Sequence, residues 1–151
     1  MAKFRFPLQK VMQHRKTVEE LAQRDFEEAN AVLNQEIQKL EDMRGQINQS
    51  RERAFQSQTQ GGRAGPVLSQ VYEFMLGQDI RIERQKEKIK ECQSLVENLR
   101  EILRQKAIEY KMIESLKERK HEKFKVEVRK KEQKQMDDTS LMRFRREEIK
   151  K

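Results

Sequence analysis

Tryptophan is absent from this 151-residue chain, cysteine occurs once, proline twice and glycine five times. Each scarcity excludes something. The single cysteine, Cys92, cannot form an internal disulfide and gives no metal-site spacing, so it reads as a small buried apolar side chain. No run of about 18 apolar residues occurs, which removes a membrane-spanning helix. The opening MAKFRFPLQKVMQHRK lacks the apolar stretch of a secretory signal, which predicts a cytosolic protein.

The residue constellations of catalysis are missing too. Gly61-Gly62 has neither the preceding strand nor the Lys-Ser/Thr of a phosphate-cradling loop. His14 and His121 stand without the carboxylates or cysteines of a metal site. Asp137 and Asp138 are adjacent acids, but no enclosed site is expected that would perturb their titration, so they read as helix punctuation. A chain of this kind cannot wall off a dry pocket. The expectation is no catalytic residue, no metal, no cofactor and no enzyme activity.

What the chain does have is charge. Charged residues make up 40% and the hydrophobic set 34%, where compact domains carry about 25% and about 45–50%. The excess is mostly Glu, Gln, Lys and Arg, all good helix formers. Such a composition also fits disorder, so periodicity has to decide.

One stretch breaks the helical pattern decisively. Gly61-Gly62-Arg63-Ala64-Gly65-Pro66 follows the polar run Gln56–Gln60 and predicts a turn at about 59–66. Pro66 suits the first turn of a second helix, as Pro7 suits that of a first. After the turn, alternating steps of three and four residues from Leu68 to Phe124 visit 17 positions, and 12 are apolar. Chance would supply about six. The twelve are Leu68, Val71, Met75, Ile82, Ile89, Cys92, Val96, Leu99, Leu103, Tyr110, Ile113 and Phe124; Gln78, Gln85, Lys106, Lys117 and Lys120 are the exceptions. A seam with this repeat favours a left-handed supercoil. The first segment carries a looser seam through Leu8, Val11, Val18, Ala22, Phe26, Ala29, Leu33, Ile37, Leu40, Met43, Ile47 and Ala54, with Arg15 and Arg51 filling its longer gaps.

These patterns predict an all-α fold, a long two-helix antiparallel coiled-coil hairpin whose second helix overhangs the first. The expected bounds are about 5–58, a turn at about 59–66, a second helix at about 67–136 and a basic tail at 137–151, forming one hairpin across 1–151. Symmetric pairing about residue 63 sets Arg5 opposite His121. Gly45 marks either a bend or a solvent-facing position. So thin a core predicts modest stability and fraying at the open end.

Charge is unevenly spread. Residues 1–60 and 61–116 each hold ten basic and nine acidic side chains, whereas 117–151 hold 14 and eight, which is +6 of the net +8. Three readings fit. The rod's charges can be a solvated helix face, and its basic end can meet nucleic acid or an anionic membrane surface, or an acidic or polar protein pore. Glu118, Glu122, Glu127 and Glu132 interrupt the basic residues and no nucleic-acid module is present. The apolar face of the last segment (Leu141, Met142, Phe144, Ile149) is modest for a membrane. Asp138, Thr139 or Ser140 can cap a short last helix over 141–150.

The segment Phe4-Arg5-Phe6-Pro7-Leu8-Gln9-Lys10-Val11-Met12-Gln13-His14-Arg15 resembles the opening of the flagellar export protein FliJ family, roughly F-x-F-x-L-Q-x-V-L-x-x-R, with Met12 in place of Leu. Near the other end, Lys134, Asp137, Asp138 and Arg143 are similar to the family's K-x-x-D-E followed by arginine, Asp138 replacing Glu. The resemblance implies a non-enzymatic coiled-coil stalk of the flagellar type III export apparatus. Its implied partners are the hexameric export ATPase (FliI-like), the cytoplasmic domain of the export gate (FlhA-like) and export chaperones. It implies a place at the cytoplasmic face of the inner membrane, with no membrane insertion and no nucleic acid.

The expected ring-contact residues are these matched positions, Phe4, Phe6, Leu8, Gln9, Val11, Arg15, Lys134, Asp137, Asp138 and Arg143, with Lys130 and Lys131 of the basic stretch between them. The gate-contact set is Tyr72, Phe74, Met75 and Gln78, where Gln78 and Arg81 break the family's aliphatic continuation. The alternatives are a basic coiled coil that binds nucleic acid or a membrane surface, and a structural coiled coil that dimerises through its seam.

Overall fold

The computed structural model describes residues 3–59 and 64–148, and within them two helices, α1 (Gln9–Thr59) and α2 (Ala64–Glu148). The chain enters α1 later than expected, because Phe4, Arg5 and Phe6 are not helical. A proline disfavours helical backbone in the residue before it. Phe6 is accordingly held outside the helix, and its carbonyl accepts a 3.2 Å hydrogen bond from Gln9 N across Pro7-Leu8. Proline suits the second position of such a turn. Leu8 O then accepts from Met12 N at 2.9 Å, which starts the helical ladder.

At the other junction, positions 60–63 of the expected glycine-rich turn lie outside the described residues, while Ala64, Gly65 and Pro66 belong to α2. Pro66 costs little there, because the first amides of a helix have no intrahelical acceptor. The expected separate tail and its cap are corrected: α2 continues through Asp137-Asp138-Thr139-Ser140 to Glu148. No glycine or proline follows Gly77. Asp, Thr and Ser inside a helix cost only about 0.7 kcal/mol each or less. Thr139 Oγ1 donates to the Gln135 carbonyl instead of capping a new start, which is how an interior threonine satisfies its hydroxyl.

Contacts divide the chain into two compact units. In the unit spanning 20–104, α1 and α2 pair antiparallel along a seam in which Ala22, Ile47, Ala54, Ile82, Ile89 and Val96 are buried. The seam of α1 is more regular than its apolar residues alone suggested. The buried and half-buried positions run 22, 26, 29, 33, 36, 40, 43, 47, 50, 54 and 57, an alternation of four and three, with Ile37 half-buried as well. Glu36 is buried next to the expected Ile37, which is half-buried, and Ser50 takes the place expected for Arg51. Gly45 is exposed on an unbroken helix, and a Cβ there would meet nothing within 4 Å.

Two polar layers interrupt this seam. Glu36, only 4% exposed, accepts from Gln85 Nε2 at 2.7 Å and pairs with Lys39 at 2.8 Å and Lys88 at 3.0 Å. Hydrogen bonds from Lys39, Gln85 and Lys88 lower its carboxyl to about 2, against a weaker upward push from burial. The second layer joins Gln78 Nε2 to Gln46 Oε1 at 2.7 Å. Polar layers of this kind fix which residues can face one another, since any slip leaves a buried polar group without a partner.

The other unit takes in residues up to Glu19 and from Gln105 onward. Its helices also pair antiparallel, with Arg15 bonded to Glu109 at 2.5 Å, short of the position 111 that symmetric pairing about residue 63 sets opposite it. Lys106 reaches the other oxygen of Glu109 at 3.5 Å. Among the described residues no side chain of the whole chain is less than 2% exposed, as expected of a core one seam deep.

Candidate functional site

The site is open: Phe4 and His121 line a shallow groove with Met12, Glu114, Lys117 and Glu118. It is two groups of surface side chains, one in each unit, and each is positioned by its own packing.

The first group lies where the chain enters α1. Because Phe6 is turned out of the helix by Pro7, its ring folds back onto α2 and is only 7% exposed. Lys120 Nζ sits 5.9 Å from its centroid, within reach of a cation–π attraction. The Phe4 ring packs between His121, at 4.9 Å between centroids, and Phe124, at 5.6 Å, both tilted. Tilted rings at this spacing set a positive edge against a negative face. Expected register alone would have led to this cluster, since Arg5 was set opposite His121. Leu8 and Val11 remain exposed at 37% and 42%, Gln9 is half-buried, and Arg15 is held by Glu109.

Beyond Phe124, α2 has no described α1 residue opposite it. Lys130, Lys131, Lys134, Asp137, Asp138 and Arg143 are all exposed there, together with Met136, Leu141, Met142 and Phe144. Glu122, at the root of this stretch, is kept ionised below its ordinary range by a hydrogen bond from Lys125 at 2.9 Å. No described hydrogen bond, ion pair or ring contact joins the Phe4–Arg15 residues to the Lys130–Arg143 residues. They belong to one compact unit but form separate surfaces.

The second group lies early in α2. Tyr72 is 64% exposed, Phe74 38% and Leu76 49%, while Met75 is half-buried in the seam. Phe74 also lines a shallow groove with Arg53, Val67 and Gln70. Gln78 departs from the expected contact set: it is 2% exposed and spends its amide on Gln46 across the seam. Its place in the four-three repeat carries it inward, three residues past Met75. Exposed Tyr72 and Phe74 are therefore the aromatic surface here, and Gln78 is part of what holds it.

Among the described residues there is no grouping of His, Cys, Asp and Glu suited to a metal ion, and no helix is long and apolar enough to cross a membrane. A family model described as Flagellar FliJ protein matches residues 4–148, nearly the whole chain. No curated protein and no solved structure matches it.

Proposed function

The chain belongs to the flagellar FliJ family and so is a component of the flagellar export apparatus, and from that premise we propose that it acts without catalysis, as a stalk between two partners. The unit that carries both termini docks in the hexameric export ATPase. The aromatic surface of the other unit meets the cytoplasmic domain of the export gate, and the protein assists delivery of chaperones and their cargo at the cytoplasmic face of the membrane.

The observation that carries this reading is the polarity of the chain. Past Phe124, α2 continues as a helix with every described side chain from 129 to 145 exposed and no partner helix opposite. The same stretch belongs to the segment that holds +6 of the net charge. A continuous, solvated, basic helix is a suitable element to enter a ring of polar or acidic character. The Phe4–His121–Phe124 cluster closes the two-helix part at its root. Tyr72 and Phe74 supply the exposed aromatics that contact points favour. A stalk needs no chemistry of its own; it couples by binding the conformations of ring subunits unequally.

Binding by purified ATPase and by purified gate domain separates the two surfaces. Reversing Lys130, Lys131 and Lys134 to glutamate weakens ATPase binding by about tenfold or more and leaves gate binding unchanged. Tyr72→Ala with Phe74→Ala does the opposite. Loss of both activities in either variant, or of neither, contradicts the assignment.

A further inference from the structure

Within the compact unit of residues 20–104, the two long sides of the seam differ. Lys39 of α1 and Lys88 of α2 reach the same oxygen of Glu36, at 2.8 and 3.0 Å, so both stand on one side. The groove beside Phe74 lies on that side as well. Gln46 and Gln49 line it from α1 and Phe74 from α2, and whole steps of seven join Lys39 to Gln46 and Lys88 to Phe74. Such steps return to one side of a supercoiled pair. They also bring Leu21, Val32, Leu95 and Ile102 here, which are 49%, 46%, 53% and 46% exposed. On the register of Glu36–Gln85 and Gln46–Gln78, Leu21 falls near Ile102 and Val32 near Leu95. Over the same length the other side presents Gln23, Asn30 and Arg44 with Lys86, Gln93 and Arg100, and its apolar Ile37 is half-buried. Single exposed apolar residues are ordinary, but four gathered on one side of two helices mark an interaction surface.

The order of charge along this side indicates what covers it. Asp25 and Glu28 accompany Leu21 and Ile102, for −2. Past Val32 come four bases, Lys39, Arg81, Arg84 and Lys88, and two acids, Glu36 and Asp42, for +2. Glu91 lies between the two groups, beside Val32. One end is therefore acidic, the other basic, with Val32 and Leu95 in the middle. A partner of a single sign meets one favourable end and one unfavourable end. A second copy turned end for end meets two favourable ones, because a two-fold axis at Val32 and Leu95 sets the acids of each copy on the bases of the other. We propose that two copies of this chain associate antiparallel through the side that carries Leu21, Val32, Leu95 and Ile102. The seam takes no part, being filled within each hairpin. The face measures about 30 Å by about 20 Å from the dimensions of two helices. That is roughly 600 Å² per copy, at the low end for a specific contact. With Glu91 close to its own copy at the axis, the association is weak and reversible, with a dissociation constant on the order of 10 μM.

The inference is independent of ring and gate docking, and sedimentation of the full chain tests it without either partner. Between about 1 and about 200 μM the protein should pass from monomer to dimer. Val32→Glu with Leu95→Glu should weaken that association by about tenfold or more. Both positions are exposed, and unchanged circular dichroism shows that the variant keeps its fold. The charge order gives a second test. Asp25→Lys with Glu28→Lys, and separately Arg81→Glu with Arg84→Glu, should each weaken self-association by about tenfold or more, since like charges then meet at both ends. Mixed together, these two variants should pair as the parent does, because each end of one again meets the opposite sign in the other. A parent monomeric throughout the range overturns the proposal. So does a dimer that survives Val32→Glu with Leu95→Glu, or a mixture of the two charge-reversed variants that stays monomeric. A monomeric parent whose binding to phosphatidylglycerol vesicles, to the ATPase or to the gate domain is lost in Val32→Glu with Leu95→Glu also overturns it, and gives the face to a lipid surface or another protein.

Discussion

Glu36 concentrates the electrostatics of the hairpin at one side chain. Its carboxyl is nearly enclosed, yet it is held ionised by Lys39 of its own helix and by Gln85 and Lys88 of α2. The folded-state value, about 2, lies below the ordinary 4.5. A depressed carboxylate contributes stability that is complete above its unfolded value and is lost as pH falls through the folded one. Thermal unfolding should therefore show a melting temperature that drops between about pH 4.5 and about pH 2. Glu36→Gln should lower the melting temperature at pH 7 and flatten that drop. A variant as pH-dependent as the parent would show that the pairing contributes nothing. Gln78 is the contrasting residue: its Oε1 is buried with no protein hydrogen bond, while its partner Gln46 is exposed enough to turn to water. Gln78→Leu should stabilise the protein by about 1 kcal/mol in urea unfolding. It should also leave gate binding intact, since this side chain is inside the seam.

At the scale of the element, the two helices were legible because their apolar residues repeat with the helix. The seam of α2 was visible from Val71 down to the positions where Gln78 and Gln85 interrupt it, and both proved buried, whereas Leu68, expected at its head, is exposed. The seam of α1 was visible only in part, because its repeat passes through Glu36 and Ser50, which no apolar pattern can announce. Continuing the four-three step from Ala22 would have reached them. Phe6 was beyond such reasoning: a proline after it reads equally as a first helical turn or as the turn that precedes one. The hydrogen bond from Gln9 to Phe6 decides for the second. A tail boundary at Asp137 was expected from residues that often cap helices, but capping needs a chain that has somewhere else to go, and here nothing stops α2. The packing of Phe6 yields a prediction. Phe6→Ala should cost about 3 kcal/mol locally, so hydrogen exchange should quicken at residues 9–19 and 105–124 while residues 82–99 keep their protection. Uniform acceleration would mean that the two compact units do not open separately.

On the scale of the molecule, the distribution of charge and exposure matters more than any one contact. Residues 1–116 are close to neutral, and the excess positive charge is gathered in 117–151. The aromatic surface and the basic helix fall in different compact units, so each can be altered without the other. The opposing view, a basic coiled coil for nucleic acid, predicts binding that collapses steeply with salt. The acids at Glu132, Asp137 and Asp138 dilute the basic run and disfavour it. On the proposed function the overhanging part of α2 acts on the ATPase ring, and the hydrolysis rate of the purified hexamer reads that action out. Added full-length protein should raise the rate in a saturable way, and the protein with Lys130, Lys131 and Lys134 reversed to glutamate should lose most of that effect. A rate indifferent to the added protein, or raised equally by the reversed variant, contradicts the account.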